Sequence, residues 1–182
     1  MTAYLPYTGI GSRETPSDVL TLMTALGAAL GSLGYTLRSG AAQGADTAFE
    51  IGARSVKAST EIFLPWRRFN NHPSSTFGAS KTAHEIAARF HPAWDRCSRG
   101  ARALHARNTH QVLGLSCNHP SLFVLCWTIG GTGQGGTGQA LRIARHHGIP
   151  IYDFGDPRIA ERASKHTPEE LARCLADKHN GE

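Results

Sequence analysis

At 182 residues, with 40% hydrophobic and 18% charged side chains, the chain has globular composition and enough length to bury a core, which excludes a disordered protein. No apolar run approaches bilayer-spanning length, and MTAYLPYTGIGSR lacks a basic patch followed by an apolar stretch, so the expectation is a soluble, cytoplasmic protein with no membrane partner. The formal net charge of +5 points to an anionic partner, either nucleic acid or a phosphorylated small molecule.

A first strand is expected near residues 3–7, running into TGIGSRETP. Thr15 reads as an N-cap, with Pro16 at the first helical position and Asp18 three residues after the cap. Val19, Leu20, Met23, Leu26, Leu30 and Leu33 then recur at helical spacing, which predicts a helix over 16–33 closed by Gly34. YTLRSG is a second strand, AAQGAD a tight loop, and residues 45–55 a helix. TEIFLPW is a third strand stopped by Pro65, and 67–80 is the longest irregular stretch, of a length that in compact domains is functional or mobile.

Helices are expected over 81–90 and 99–115, with HPAWDR between them. SLFVLCW reads as a fourth strand, its continuous apolar run suiting burial on both faces. The glycine-rich TIGGTGQGGTGQ follows, then a helix closed by Gly148, and IPIYDF as a fifth strand. The tail, 157–179, is helical and polar, with Thr167-Pro168-Glu169-Glu170 as a helix start. Alternating strands and helices predict an α/β fold: a Rossmann-like three-layer αβα sandwich on a mainly parallel sheet. One domain is expected over 1–182, with its core over about 3–154.

In such a sheet, ligands sit at the carboxyl ends of the strands. Three glycine loops occupy that edge: TGIGSRETP, RSGAAQGAD and TIGGTGQGGTGQ. Glycine lets backbone N–H groups approach a ligand closely, and helix N-termini attract phosphate, so a phosphate-type ligand is expected there. Neither G-x-x-x-x-G-K-[ST] nor a complete G-x-G-x-x-G occurs, which argues against a P-loop ATPase or an ordinary NAD dehydrogenase.

Between Glu61 and His110, eight basic residues (Arg67, Arg68, Lys81, Arg89, Arg96, Arg99, Arg102, Arg107) face three acidic ones (Glu61, Glu85, Asp95), either as a solvated face or as a phosphate-facing one. Trp66, Phe69, Phe77 and Trp94 lie among them, placed to stack on bases or to pack under the long loop. The four cysteines contain no C-x-x-C pair and read as free thiols. No metal site is expected from the histidines: His146 and His147 are adjacent and point apart, and His105 and His110 do not share a helix face.

LRSGAAQGADTAFEIGA is similar to the serine- and glycine-rich motif of the DprA family, and ARNTHQVLGLS resembles that family's R-N-R-x-I-x-x-L-S segment. WTIGGTGQGGTGQALRIARHHGIPIYDF is similar in position to its glycine loop, helix and last strand, so the resemblance spans about residues 8–154. The wider group includes LOG-type nucleotide-processing proteins and nucleotide-signal sensors (the SLOG superfamily). The resemblance implies that Ser39, Gly40, Gly44 and Asp46 form one wall of the site, with Arg38 beside it to meet phosphate. It also implies a phosphate-binding Arg107 and a loop-organising Asn108. Gly9, Gly11, Ser12 and Arg13 from the first loop, with Thr128, Gly131, Gly135, Gly136 and Thr137 from the last, complete the expected ligand set.

LOG-type enzymes carry P-G-G-x-G-T-x-x-E, whose glutamate acts on the ribosyl bond. This chain keeps the glycines but has Gln134 and Gln139 and no such acid in the loop, and a glutamine amide neither exchanges a proton nor serves as a carboxylate nucleophile. Catalysis would therefore need Asp46, Glu50 or Glu14. Only the family's Rossmann core is matched, so functions of flanking domains are not expected. The leading expectation is a nucleotide-phosphate-binding protein of DNA-processing or recombination-mediator type, taking single-stranded DNA or a nucleotide and, by resemblance, forming a homodimer. The alternatives are an N-glycosidic-bond hydrolase or transferase acting on nucleotides, and a non-catalytic sensor of a small signal such as an ADP-ribose derivative. No resident cofactor is implied beyond a nucleotide-type ligand.

Overall fold

A computed structural model describes residues 4–179. Five strands form one sheet: β1 (Pro6–Gly9), β2 (Thr36–Ser39), β3 (Thr60–Ile62), β4 (Val124–Cys126) and β5 (Ile151–Asp153). All neighbours pair in parallel, in the order β3-β2-β1-β4-β5. The helices are α1 (Ser17–Ser32), α2 (Ala45–Ser55), α3 (Lys81–Phe90), α4 (Arg99–Leu113), α5 (Gly135–His146), α6 (Pro157–Ala163) and α7 (Pro168–His179). The sheet is thus wholly parallel, as a βαβ chain requires.

Strand alternation assigns the two faces. Tyr7, Leu37, Phe123 and Leu125 pack with Met23, Leu26 and Leu30 of α1, Phe49 of α2 and Leu175 of α7. Val124 and Cys126 point the other way, onto Val112 and Leu113 of α4 and Leu141 and Ile143 of α5. Two apolar layers therefore enclose the sheet, which accounts for the continuous burial of β1, β2 and β4, while the edge strands β3 and β5 are only partly buried. On the first face α1 and α2 touch through glycines: a Cβ on Gly52 would lie 1.9 Å from the Thr24 carbonyl oxygen. Any larger residue there would force the helices apart.

Several local expectations shift. The first strand begins at Pro6, and Ala3, placed in it from the sequence, lies outside the described residues. Thr15 does not cap α1. Its hydroxyl donates to the Ser12 carbonyl at 2.6 Å, and Pro16 occupies the cap position without a side-chain bond. The Thr15 N–H donates to the same carbonyl at 3.3 Å, so this residue closes the Ser12–Thr15 turn instead of capping the helix. Helix α4 ends two residues early, where Gly114 takes a φ of 76°. The tail divides into two helices, and Thr167 and Glu170 form a reciprocal capping box at the start of α7, with Thr167 N–H donating to Oε2 at 2.8 Å and Glu170 N–H to Oγ1 at 3.2 Å.

The irregular 67–80 segment is ordered by its own backbone. Arg68, Asn70 and Asn71 all adopt left-handed φ values, and Leu64 pairs with Phe77 in an isolated bridge. Asn70 Nδ2 ties the loop to the Ala41 carbonyl at 2.9 Å. All four cysteines are free. Among the described residues no helix is long and apolar enough to cross a membrane.

Candidate functional site

The strand order reverses between β1 and β4, and the loops leaving their carboxyl ends diverge there, the position at which open parallel sheets bind ligands. A cleft of about 850 Å³ opens at this point. Its walls are Ile10–Glu14 after β1, Ala42, Gln43 and Asp46 after β2, Phe69 and Asn70 of the long loop, one face of α4, and Thr128, Ile129, Thr132 and Gln134–Thr137 after β4. A shallower hollow of about 550 Å³ beside β3, lined by Thr60–Phe63 and His72–Thr76, holds none of the expected site residues.

Ten of the expected ligand residues line the cleft: Gly11, Ser12, Arg13, Asp46, Arg107, Asn108, Thr128, Gly135, Gly136 and Thr137. Six do not. Arg38 is the largest departure, because its guanidinium is fully engaged elsewhere: Nε on Glu61 Oε2 at 2.7 Å, Nη1 on the His119 carbonyl at 2.6 Å and Nη2 on the Tyr4 hydroxyl at 2.9 Å. It pins β2 to β3 and to the 119–121 segment and does not reach the cleft. Ser39 donates to the Gly9 carbonyl at 2.7 Å, inside the sheet.

The other four are glycines that let parts of the frame touch. Gly9 packs against the Phe49 ring, Gly44 against the Ser12–Arg13 backbone, and Gly131 against the backbone of Asp156. Gly40 lies under Arg107, where a Cβ would stand 1.7 Å from Nη1.

Arg107 and Asp46 form the floor. They are 5% and 3% exposed, with Nη1 and Oδ2 3.9 Å apart. Asp46 also accepts from Gly40 N–H at 3.1 Å, Ala42 N–H at 3.4 Å and Gln111 Nε2 at 3.3 Å. Burial pushes its carboxyl up, and the Arg107 charge and these donors pull it back. Burial likewise lowers Arg107, against the opposing pull of Asp46. Arg107 gives Nε to Asn108 Oδ1 at 3.1 Å and Nη1 to the Gly40 carbonyl, while Nη2 makes no hydrogen bond among the described residues. Nε and Nη1 are thus engaged, and the buried guanidinium, with the Phe69 ring 5.6 Å from Cζ, lines the cleft.

Asn108 then donates to the Gly136 carbonyl at 3.2 Å, joining α4 to the start of α5. No side chain caps α5, whose first turn, Gly135-Gly136-Thr137, lines the cleft, and the first N–H groups of a helix have no intrahelical partner. The preceding loop is held by Asp153, which the sequence reading did not single out. Its carboxylate accepts from Thr128 N–H at 2.8 Å, from the Thr128 hydroxyl and from Gly155 N–H at 3.0 Å, and Thr128 Oγ1 accepts Gly133 N–H at 2.9 Å. An acid at the end of a last strand offers little sequence signal, because its role depends on a loop 25 residues earlier.

Of the carboxylates considered for catalysis, Glu50 lies off the cleft, bound to Arg54 at 2.6 Å and His72 at 2.8 Å. Glu14 is an exposed residue of the rim. The four aromatics divide: Phe69 lines the cleft, Trp66 packs edge-on to it and stays 44% exposed, Phe77 is exposed, and Trp94 lies under Arg102. Also unanticipated is a cluster of His91, Cys97 and His105 next to the cleft, brought together across the α3–α4 junction.

No family model matches the chain, and no curated protein does. Among solved structures it is similar to two of the molybdenum cofactor (Moco) carrier protein of Chlamydomonas reinhardtii, at 15% and 13% identity and TM-scores of 0.56 and 0.57, covering 96% of this chain and 98% of theirs. It is also similar to DNA processing protein A of Helicobacter pylori, a single-stranded DNA binder, at 14% identity and a TM-score of 0.55, covering 96% of this chain and 81% of that one. The fold is therefore a Rossmann-type α/β fold shared with these structures. At these identities the likeness concerns the fold alone.

Proposed function

We propose that the cleft binds the phosphate of a nucleotide-type molecule. The carrying observation is the convergence of the uncapped first turn of α5 with the Arg107 guanidinium on one cleft of about 850 Å³. Backbone N–H groups at a helix N-terminus and a half-engaged guanidinium are complementary to phosphate oxygens. The cleft has the capacity of a mononucleotide or phosphorylated-cofactor site. Binding rather than bond cleavage is the reading, since Asp46 is committed to Arg107, Gln111 and two backbone amides, and Glu50 is held outside the cleft. The fold's occurrence in a cofactor carrier and in a DNA-binding protein supports a nucleotide or cofactor ligand.

A thermal-shift series with nucleoside monophosphates, ADP-ribose and a short oligonucleotide tests this. A ligand at a hundredfold excess over its Kd adds about 2.7 kcal/mol to folding stability. Concentration-dependent stabilisation by a mononucleotide, lost in Gly136→Val, is expected; no stabilisation by any phosphate compound would overturn the proposal. Single-stranded DNA is the second reading, favoured by the exposed Trp66 and the basic residues of α3, α4 and the long loop. It requires an oligonucleotide shift that weakens steeply with salt, and absence of binding at low salt removes it.

A further inference from the structure

The segment joining α3 to α4 carries His91 and Cys97, and His105 follows inside α4. Each offers one ligand atom, and the three atoms lie within 4.8 Å of one another. Cys97 Sγ stands 3.6 Å from Nδ1 and 3.7 Å from Nε2 of His91. The His91 and His105 rings are 4.3 Å apart between centroids. His105 Nδ1 is buried and has no hydrogen-bond partner, an expensive state for a polar nitrogen unless something else occupies its lone pair.

Bonds of about 2.0 Å to nitrogen and about 2.3 Å to sulfur place tetrahedral ligand atoms roughly 3.3–3.7 Å apart. The Cys97–His91 separation already has that length, and drawing the remaining pairs in from 4.8 Å or less shortens each by at most about 1.5 Å. Two imidazoles and a thiolate select a borderline-soft divalent ion over magnesium or calcium.

We propose that His91, Cys97 and His105 hold a zinc-class divalent metal ion. Binding releases the Cys97 thiol proton to solvent and frees the thiol from its contact with the Ala93 carbonyl at 3.5 Å. Ala93 N–H donates to His91 Nδ1 at 3.1 Å, a contact the metal replaces where that nitrogen ligates. Three protein ligands leave a fourth position for water or for an atom of whatever fills the cleft, whose wall includes His105. Arg107 and Arg142 add positive potential at His105, so the thiolate, the one negative ligand of the three, carries a large share of the affinity. The inference does not depend on the nucleotide reading: failure of every nucleotide to bind leaves it standing.

The test uses the full chain stripped of metal and titrated with Zn²⁺ against a chromophoric chelator, and with Co²⁺ to observe thiolate-to-cobalt charge transfer. One equivalent and a charge-transfer band are expected. Cys97→Ser should weaken binding by at least a hundredfold and remove the band, and His105→Gln should weaken it by at least tenfold. Cys174→Ser, which removes an exposed thiol elsewhere, should change neither. A second measurement on the unmodified chain covers any folding defect of the variants: Zn²⁺ should slow alkylation of Cys97, mapped by peptide mass spectrometry, and leave Cys174 as reactive as before. Absence of the charge-transfer band, equal affinity in Cys97→Ser, or alkylation of Cys97 unaffected by Zn²⁺ would each overturn the assignment.

Discussion

Replacing Arg107 with alanine leaves the Asp46 carboxylate in the floor of the cleft without its countercharge. At 3.9 Å and an effective dielectric near 20, the attraction removed is about 4 kcal/mol, and breaking one partner of a buried pair typically costs about 3–5 kcal/mol. Three N–H donors remain on the carboxylate, and protonation offers it an escape, so we expect a loss of about 2–4 kcal/mol at neutral pH. For a chain of this length that is a fall in Tm of roughly 5–15 °C. Urea unfolding followed by far-UV circular dichroism measures it directly.

The pH dependence separates this cause from simple loss of packing. The Asp46 pKa is raised in the fold, so its contribution is fullest below the unfolded carboxyl value and is lost as pH rises through the folded one. Without Arg107 the folded value rises further. The deficit of Arg107→Ala should therefore be larger at pH 7 than at pH 4, where Asp46 is nearer to neutral in both proteins. The double variant Asp46→Asn/Arg107→Ala should recover part of the loss, because no charge is then stranded. A deficit below about 1 kcal/mol, or one equal at both pH values, would refute the reasoning.

Gly138 and His110 supply two further predictions. In Gly138→Ala the new Cβ meets the Gly133 carbonyl oxygen at 2.1 Å, so the 130–134 loop must move; despite a helix-propensity gain of about 1 kcal/mol, faster limited proteolysis within that loop is expected, and an unchanged rate would contradict the packing described. Buried His110 accepts Ser80 N–H at Nε2 (3.2 Å) and bonds the Gly114 carbonyl through Nδ1 (3.0 Å), an arrangement only the neutral ring satisfies. Burial lowers its pKa, against the Gly114 bond that raises it and with nearby His84 lowering it further, so its contribution is present above the unfolded value of about 6.5 and is lost as pH falls below it. Tm should decline through that window in the parent and more gently in His110→Gln; identical profiles would count against it.

Helix α2 spans the expected residues 45–55 and α3 the expected 81–90, because in each an amphipathic stripe runs between clear boundary residues. Pairing of three-residue strands carries little periodicity, so β3 to β5 were legible as apolar runs but not in their limits. Within the site, the glycine loops were visible because glycine in a strand-to-helix setting has few other uses, whereas Asn108, inside α4, was legible only through the resemblance of its segment to the DprA family. Thr128 could be placed in the cleft, yet its anchor on Asp153 could not, since nothing local connects residues 25 positions apart.

Alternation of apolar strands with amphipathic helices determined by itself that this chain builds an α/β layer fold, and where its glycine loops fall at the sheet edge. Local chemistry is enough for that, because periodicity and turn residues act within a few positions. Only the tertiary structure decided which arginine serves the cleft. Arg38 and Arg107 are equal in charge and both belong to motif segments, but Glu61, His119 and Tyr4 hold the first away, while Gly40 lets the second lie across the floor. The convergence of His91, Cys97 and His105 is likewise a product of the α3–α4 packing. A long side chain takes its direction from partners distant in sequence, and those partners exist only once the layers have closed.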